Sequence, residues 1–147
     1  MSEVIVREAV AEDYAQWRIL WEGYNSFYAA PLEDAITQHT WDRALNPASP
    51  VLCRIAQYEG KVVGFALCVL HEGTYHMSPV CYLEDFFVDA NLRGRGIGHA
   101  VLTALRKEAQ EKGWAKVYWF TRETNPARKL YDKEAATDDF VRYTMKM

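Results

Sequence analysis

The chain has 147 residues, 50% of them hydrophobic and 25% charged, with a formal net charge of -3. That length predicts one domain spanning residues 1–147, with a core large enough to fold without disulfide or metal staples. The apolar content excludes a disordered chain, and the acidic balance argues against nucleic acid as a partner while suiting a cationic ligand.

Val4-Ile5-Val6 lies in a short β-prone run, so residues 3–7 are predicted as a first strand. Glu12 and Asp13 supply acidic capping chemistry for a helix. Trp17, Leu20, Trp21, Tyr24, Phe27 and Tyr28 then recur every three or four residues, the spacing of one helical face. The stripe is core for the most part, and Tyr24 and Tyr28 are candidates to wall an acceptor pocket, where aromatic faces hold a cation. Pro31 ends that helix or begins the next, in which Ile36, Thr40 and Trp41 continue an amphipathic pattern as far as Asn46-Pro47.

Strand signals follow. Val51–Gln57 and Val62–Leu70 flank the turn Tyr58-Glu59-Gly60-Lys61 and predict a hairpin. His71–Pro79 is loop-like, and Val80–Val88 is a strand with Glu84 and Asp85 at its middle. Residues 89–95 break the pattern. Gly98–Lys112 is a helix ended by Gly113, Lys116–Thr121 an aromatic strand, Pro126–Lys133 a short helix, and Phe140–Met145 a last strand. This order predicts an α/β fold, a central mixed and mostly antiparallel sheet flanked by helices.

Cys53, Cys68 and Cys81 are odd in number and form no CxxC motif, so they are expected to be buried thiols of a reducing compartment. No leader is apparent at the acidic start, and the longest apolar run, residues 62–70, is too short to span a bilayer. A cytoplasmic protein without membrane contact is expected. His71 and His76 lack neighbouring ligands, so no metal site is predicted.

The most informative segment is Arg93-Gly94-Arg95-Gly96-Ile97-Gly98, a basic glycine-rich turn between a strand and a helix. Glycines let an anion approach the backbone, a helix start offers free N–H groups, and two guanidinium groups match phosphate oxygens. This is a diphosphate cradle. The spacing fits neither the dinucleotide fingerprint, whose third glycine position is His99 here, nor a P-loop.

The same segment resembles the R/Q-x-x-G-x-G/A motif of the GNAT superfamily of N-acetyltransferases. The element order is similar along nearly the whole chain. Tyr82-Leu83-Glu84-Asp85-Phe86-Phe87-Val88 resembles the matching strand of spermidine/spermine acetyltransferases, and Val117-Tyr118-Trp119, Thr121, Asn125 and Leu130-Tyr131 resemble the yeast histone and polyamine branch. The resemblance implies that acetyl-CoA binds with its pyrophosphate on residues 93–99 (Arg93, Gly94, Arg95, Gly96, Ile97, Gly98 and the rim residue His99). It also implies a contact from Asn125 and backbone contacts from Phe87 and Val88 to the pantetheine. Further implications are Glu84 as general base, Asp85 as a binder of cationic substrate, Tyr131 as the acid that protonates the departing sulfur, and a homodimer.

The residues themselves suit those roles. An alkylammonium, with a pKa of about 10, must lose a proton before it attacks a thioester, and the departing thiolate needs a proton or a donor. Glu84 sits mid-strand among apolar residues, where burial would raise its pKa. Strand alternation predicts that Glu84 and Asp85 point to opposite faces. The expected activity is acetyl transfer from acetyl-CoA to a primary amine, small and cationic or polyamine-like. A peptide or histone-like lysine acceptor, and a non-catalytic module that senses acyl-CoA, are the alternatives.

Overall fold

A computed structural model describes residues 3–28 and 32–147. The elements are β1 (Val4–Glu8), α1 (Tyr14–Phe27), α2 (Asp34–Leu45), β2 (Val51–Tyr58), β3 (Lys61–His71), β4 (Val80–Val88), α3 (Ile97–Lys112), β5 (Val117–Tyr118) and α4 (Arg128–Glu134). Pro31 lies outside the described residues. The strands form one sheet in the order β1-β2-β3-β4-β5, antiparallel throughout except for the parallel β4–β5 pair. A parallel pair needs a crossover connection, and α3 provides it.

Each face of the sheet carries its own core. On one face Trp17, Leu20 and Trp21 of α1 and Trp41 of α2 pack on Cys53, Ile55, Phe65 and Leu67. The Trp17 ring lies 5.2 Å from Trp21 and 4.7 Å from Trp41. On the other face Ile97, Val101, Leu102 and Leu105 of α3 cover Ala66, Cys68, Cys81 and Leu83. Each large apolar side chain buried this way contributes about 1.5–3 kcal/mol. Arg54 of β2 pins α3 to the sheet by a two-pronged contact to Glu108, at 2.8 and 2.5 Å. Cys53, Cys68 and Cys81 are buried free thiols.

Asp13 does not cap α1 through its side chain. Its carboxylate accepts the Val10 N–H at 2.8 Å and two hydrogen bonds from Arg7, also at 2.8 Å. The pair ties the end of β1 to a 3₁₀ turn (Ala11–Asp13) that leads into α1.

Two late elements differ from expectation. The aromatic strand predicted over 116–121 pairs only at Val117 and Tyr118, opposite Cys81 and Tyr82. Beyond Tyr82, no described strand pairs with that edge of β4, so the backbone of residues 83–88 is free there. The strand predicted over Phe140–Met145 does not form. No partner edge receives it, and Phe140, Val141, Tyr143 and Met145 are 75–92% exposed. Alternating apolar residues make a strand only where a neighbour supplies the hydrogen bonds.

Candidate active site

After β4, a 3₁₀ turn (Ala90–Leu92) is held by the Asp89 carboxylate, which accepts the Asn91 N–H at 3.0 Å. The chain then takes left-handed conformations at Gly94 (φ 81°) and Gly96 (φ 77°), and Gly96 is the N-cap of α3. A Cβ at either glycine would meet nothing within 4 Å. Glycine is required there by dihedral angle, and the space above the loop is open. The first internal bond of α3 runs from the Ala100 N–H to the Gly96 carbonyl at 3.0 Å, so the N–H groups ahead of Ala100 are left to face an anion. Gly98 has a different task. A Cβ there would come 2.9 Å from Leu130 Cδ2, so its absence lets α4 pack closely on α3.

The loop forms one wall of a cleft of about 440 Å³. Phe86, Phe87 and Val88 on the free edge of β4 form the second wall, and Tyr28 just past the end of α1 with Leu130 and Tyr131 of α4 closes it. The Arg93 guanidinium stands 5.6 Å from the centre of the Phe87 ring. The Tyr131 ring packs on Trp119 and Phe86, and burial pushes its phenol up to about 12. It therefore stays protonated across the physiological range and remains a donor. Asn125 lines the cleft but anchors the entry to α4, donating to Thr121 Oγ1 at 2.8 Å and accepting the Ala127 N–H at 2.9 Å.

Beside this cleft, β4 carries a bulge. Cys68 pairs with Leu83 and Leu67 with Asp85, which leaves Glu84 as the extra residue. The bulge resets the alternation. Asp85 thus shares a face with Leu67 and Phe87, under α1 and α2, and both acids line a second cavity of about 540 Å³. The opposite-face expectation fails because alternation holds only while the pairing is unbroken. The expected burial also falls on the other acid. Glu84 is exposed, whereas desolvation pushes Asp85 up to about 6, against a hydrogen bond from Tyr24 that lowers it. Tyr24, one helical turn before Tyr28, is raised by burial and by that same carboxylate.

The Acetyltransferase (GNAT) family model matches residues 14–135. The chain belongs to the GNAT acetyltransferase family. It is an acetyl-CoA-dependent N-acetyltransferase. The D-amino-acid N-acetyltransferase of Saccharomyces cerevisiae is 28% identical over 145 residues, covering 97% of this chain and 90% of that protein. An aminoglycoside N(6')-acetyltransferase type 1 of Stenotrophomonas maltophilia is 31% identical over 116 residues, covering 76% of this chain and 71% of that protein. The fold matches a solved aminoglycoside N-acetyltransferase in complex with CoA at a TM-score of 0.82 and 22% identity, covering 100% of this chain and 97% of that one.

In this GNAT protein the cleft gathers Phe87, Val88, Arg93, Gly94, Gly96, Ile97, Gly98, His99, Asn125, Tyr28 and Tyr131. Arg95 is exposed, and neither it nor Tyr24, Glu84 or Asp85 is part of the cleft lining. His99 pairs with Glu134 across α3 and α4. His71 is exposed, with its Nε2 2.8 Å from the Tyr118 hydroxyl. Among the described residues no group of His, Cys, Asp and Glu could hold a metal, and no helix is long and apolar enough to cross a membrane. Sequence inspection missed Phe27 and Pro126 in the cleft, although each adjoins a residue it singled out, and it missed Ala127 beside them. It also missed Arg43 in the second cavity, for which no local signal exists, because only the packing of α2 brings it there.

The open glycine cradle, the free β4 edge and Arg93 fit a nucleotide diphosphate followed by an extended chain of amides. Replacing Gly96 by alanine forces a left-handed alanine, costing roughly 1–2 kcal/mol. Combined with Arg93→Ala, it is expected to weaken CoA binding at least about tenfold by calorimetry, since a charged hydrogen-bonding group is lost as well. A folded double variant with unchanged CoA affinity would locate the diphosphate elsewhere.

Proposed function

We propose that the protein transfers an acetyl group directly to a small cationic primary amine seated in the second cavity, beside the acetyl donor in the cleft. The supporting observation is that consecutive residues of β4 line the two, Glu84 and the half-buried Asp85 the cavity and Phe86 and Phe87 the cleft. Acetyl-CoA, when bound, supplies a thioester carbonyl. Phe87 and Val88 offer backbone groups that align the donor along the free strand edge, and Arg93 with the N–H groups near Gly96 holds the diphosphate.

Asp85 accepts the proton that the ammonium must lose before its nitrogen attacks. Its raised pKa narrows the gap to the amine. Glu84, exposed at the cavity, attracts the cation. These roles are the reverse of those expected from sequence, because the bulge buries Asp85 and exposes Glu84. Tyr131 donates to the sulfur as the carbon–sulfur bond breaks. Mixing protein, acetyl-CoA and a panel of amines, and following free thiol, tests the reaction. Thiol release that depends on amine supports it. CoA binding without release leaves an acyl-CoA sensor.

A cytoplasmic homodimer completes the proposal. What supports it is the exposed apolar segment Phe140–Met145 together with the aromatic group Tyr82, Tyr118 and Phe120 near the sheet edge, where Phe120 is 56% exposed. Light scattering is expected to report two copies, and truncation after Ala136 to yield one. A monomeric full chain, or a truncated dimer, rules this assembly out.

A further inference from the structure

We infer that the acceptor carries a carboxylate beside its amine, as an amino acid does, and that Arg43 is the residue that binds that carboxylate. The inference rests on the acetyl-transfer reading and adds the class of acceptor to it. The second cavity is lined by opposite charges from different elements: Glu84 and Asp85 from β4, and Arg43 from α2. Much of the remaining lining is apolar, including Trp21, Ile36, Leu67 and Val69. Its volume of about 540 Å³ is in the range of small-molecule sites, roughly 300–1,000 Å³.

Among the described residues Arg43, like Arg93 and Arg95, forms no ion pair. Arg7, Arg18 and Arg54 are each paired with an acid. Among the described residues Arg43 makes only two long hydrogen bonds, from Nε to the His39 carbonyl and from Nη2 to Thr40 Oγ1, both at 3.4 Å. Thr40 lines the same cavity one turn earlier on α2, and the exposed Arg43 side chain lies beside it. A planar guanidinium matches a carboxylate in two-pronged fashion. A ligand with its ammonium at the acids and its carboxylate at Arg43 satisfies both ends, and its side chain meets the apolar wall. A polyamine would instead bring a second ammonium towards Arg43, a like-charge contact.

The test compares wild type with Arg43→Gln on leucine of both hands, leucinamide, isoamylamine and spermidine, each with acetyl-CoA. Wild type is expected to favour leucine of one hand over leucinamide and isoamylamine by about 10- to 100-fold in kcat/KM, the worth of a charged hydrogen-bonded contact. Arg43→Gln is expected to erase that preference through KM, with kcat and the isoamylamine rate nearly unchanged. A wild type that favours spermidine or isoamylamine overturns the inference, as does a variant that slows all acceptors alike. If no amine releases thiol, the transfer reading fails separately. Calorimetry with leucine and leucinamide in the presence of CoA then decides the carboxylate site. Leucine binding lost in Arg43→Gln upholds it, and equal binding of leucine and leucinamide by wild type overturns it.

Discussion

Replacing Asp85 by asparagine is expected to lower turnover by about 10²–10⁴-fold, the range for a lost general base, and at the same time to stabilise the fold. Burial raises the Asp85 carboxyl from 3.8 in the unfolded chain to about 6 in the folded one. The folded state therefore holds that proton more tightly. Stability is lost as pH rises from about 4 to 6, and the full cost, on the order of 3 kcal/mol, is present above 6. Asparagine keeps the shape of the side chain and removes the buried charge. Its melting temperature should exceed that of wild type by several degrees at pH 8 and match it near pH 4.

The wild-type rate should rise with pH through about 6 as Asp85 ionises, in addition to the titration of the amine itself. Glu84→Gln, at an exposed position, should raise the KM for cationic amines and leave that limb in place. An Asp85→Asn enzyme with the wild-type pH profile would remove Asp85 from proton transfer. A Glu84→Gln enzyme without the limb would return the base to Glu84.

Tyr131→Phe deletes one oxygen and retains the ring contacts to Trp119 and Phe86. Turnover should fall by about ten- to ten-thousand-fold, with CoA affinity and melting temperature nearly unchanged. Since the phenol is held at about 12, the wild-type rate should show no loss from its ionisation below roughly pH 10. A phenylalanine variant with full turnover would leave Tyr131 as a packing residue of α4 and assign the sulfur's proton to water.

Local chemistry carried much of this protein. The arginine-glycine turn at 93–98 was legible because left-handed dihedrals, open approach and basic side chains leave a mark on consecutive residues. Helix α1 and the β2–β3 hairpin were legible for a similar reason, since their apolar periods match the element that buries them. The cleft residue Gly96 belongs to that turn, and Val88 and His99 beside it followed from the family resemblance.

The acid pair was not decided locally. A bulge at Glu84 is a property of the β3–β4 register, so it alone determines that Asp85 turns under α1 and loses solvent while Glu84 keeps it. Arg43 reaches the same cavity only because Trp41, two residues away, seats α2 against Trp17. The segment Phe140–Met145 has the alternation of a strand yet pairs with no described strand. Periodicity reports which residues tend to be buried together. Which edge, register and facing helix they meet depends on contacts between residues far apart in the chain, and these are fixed only when the whole sheet has assembled.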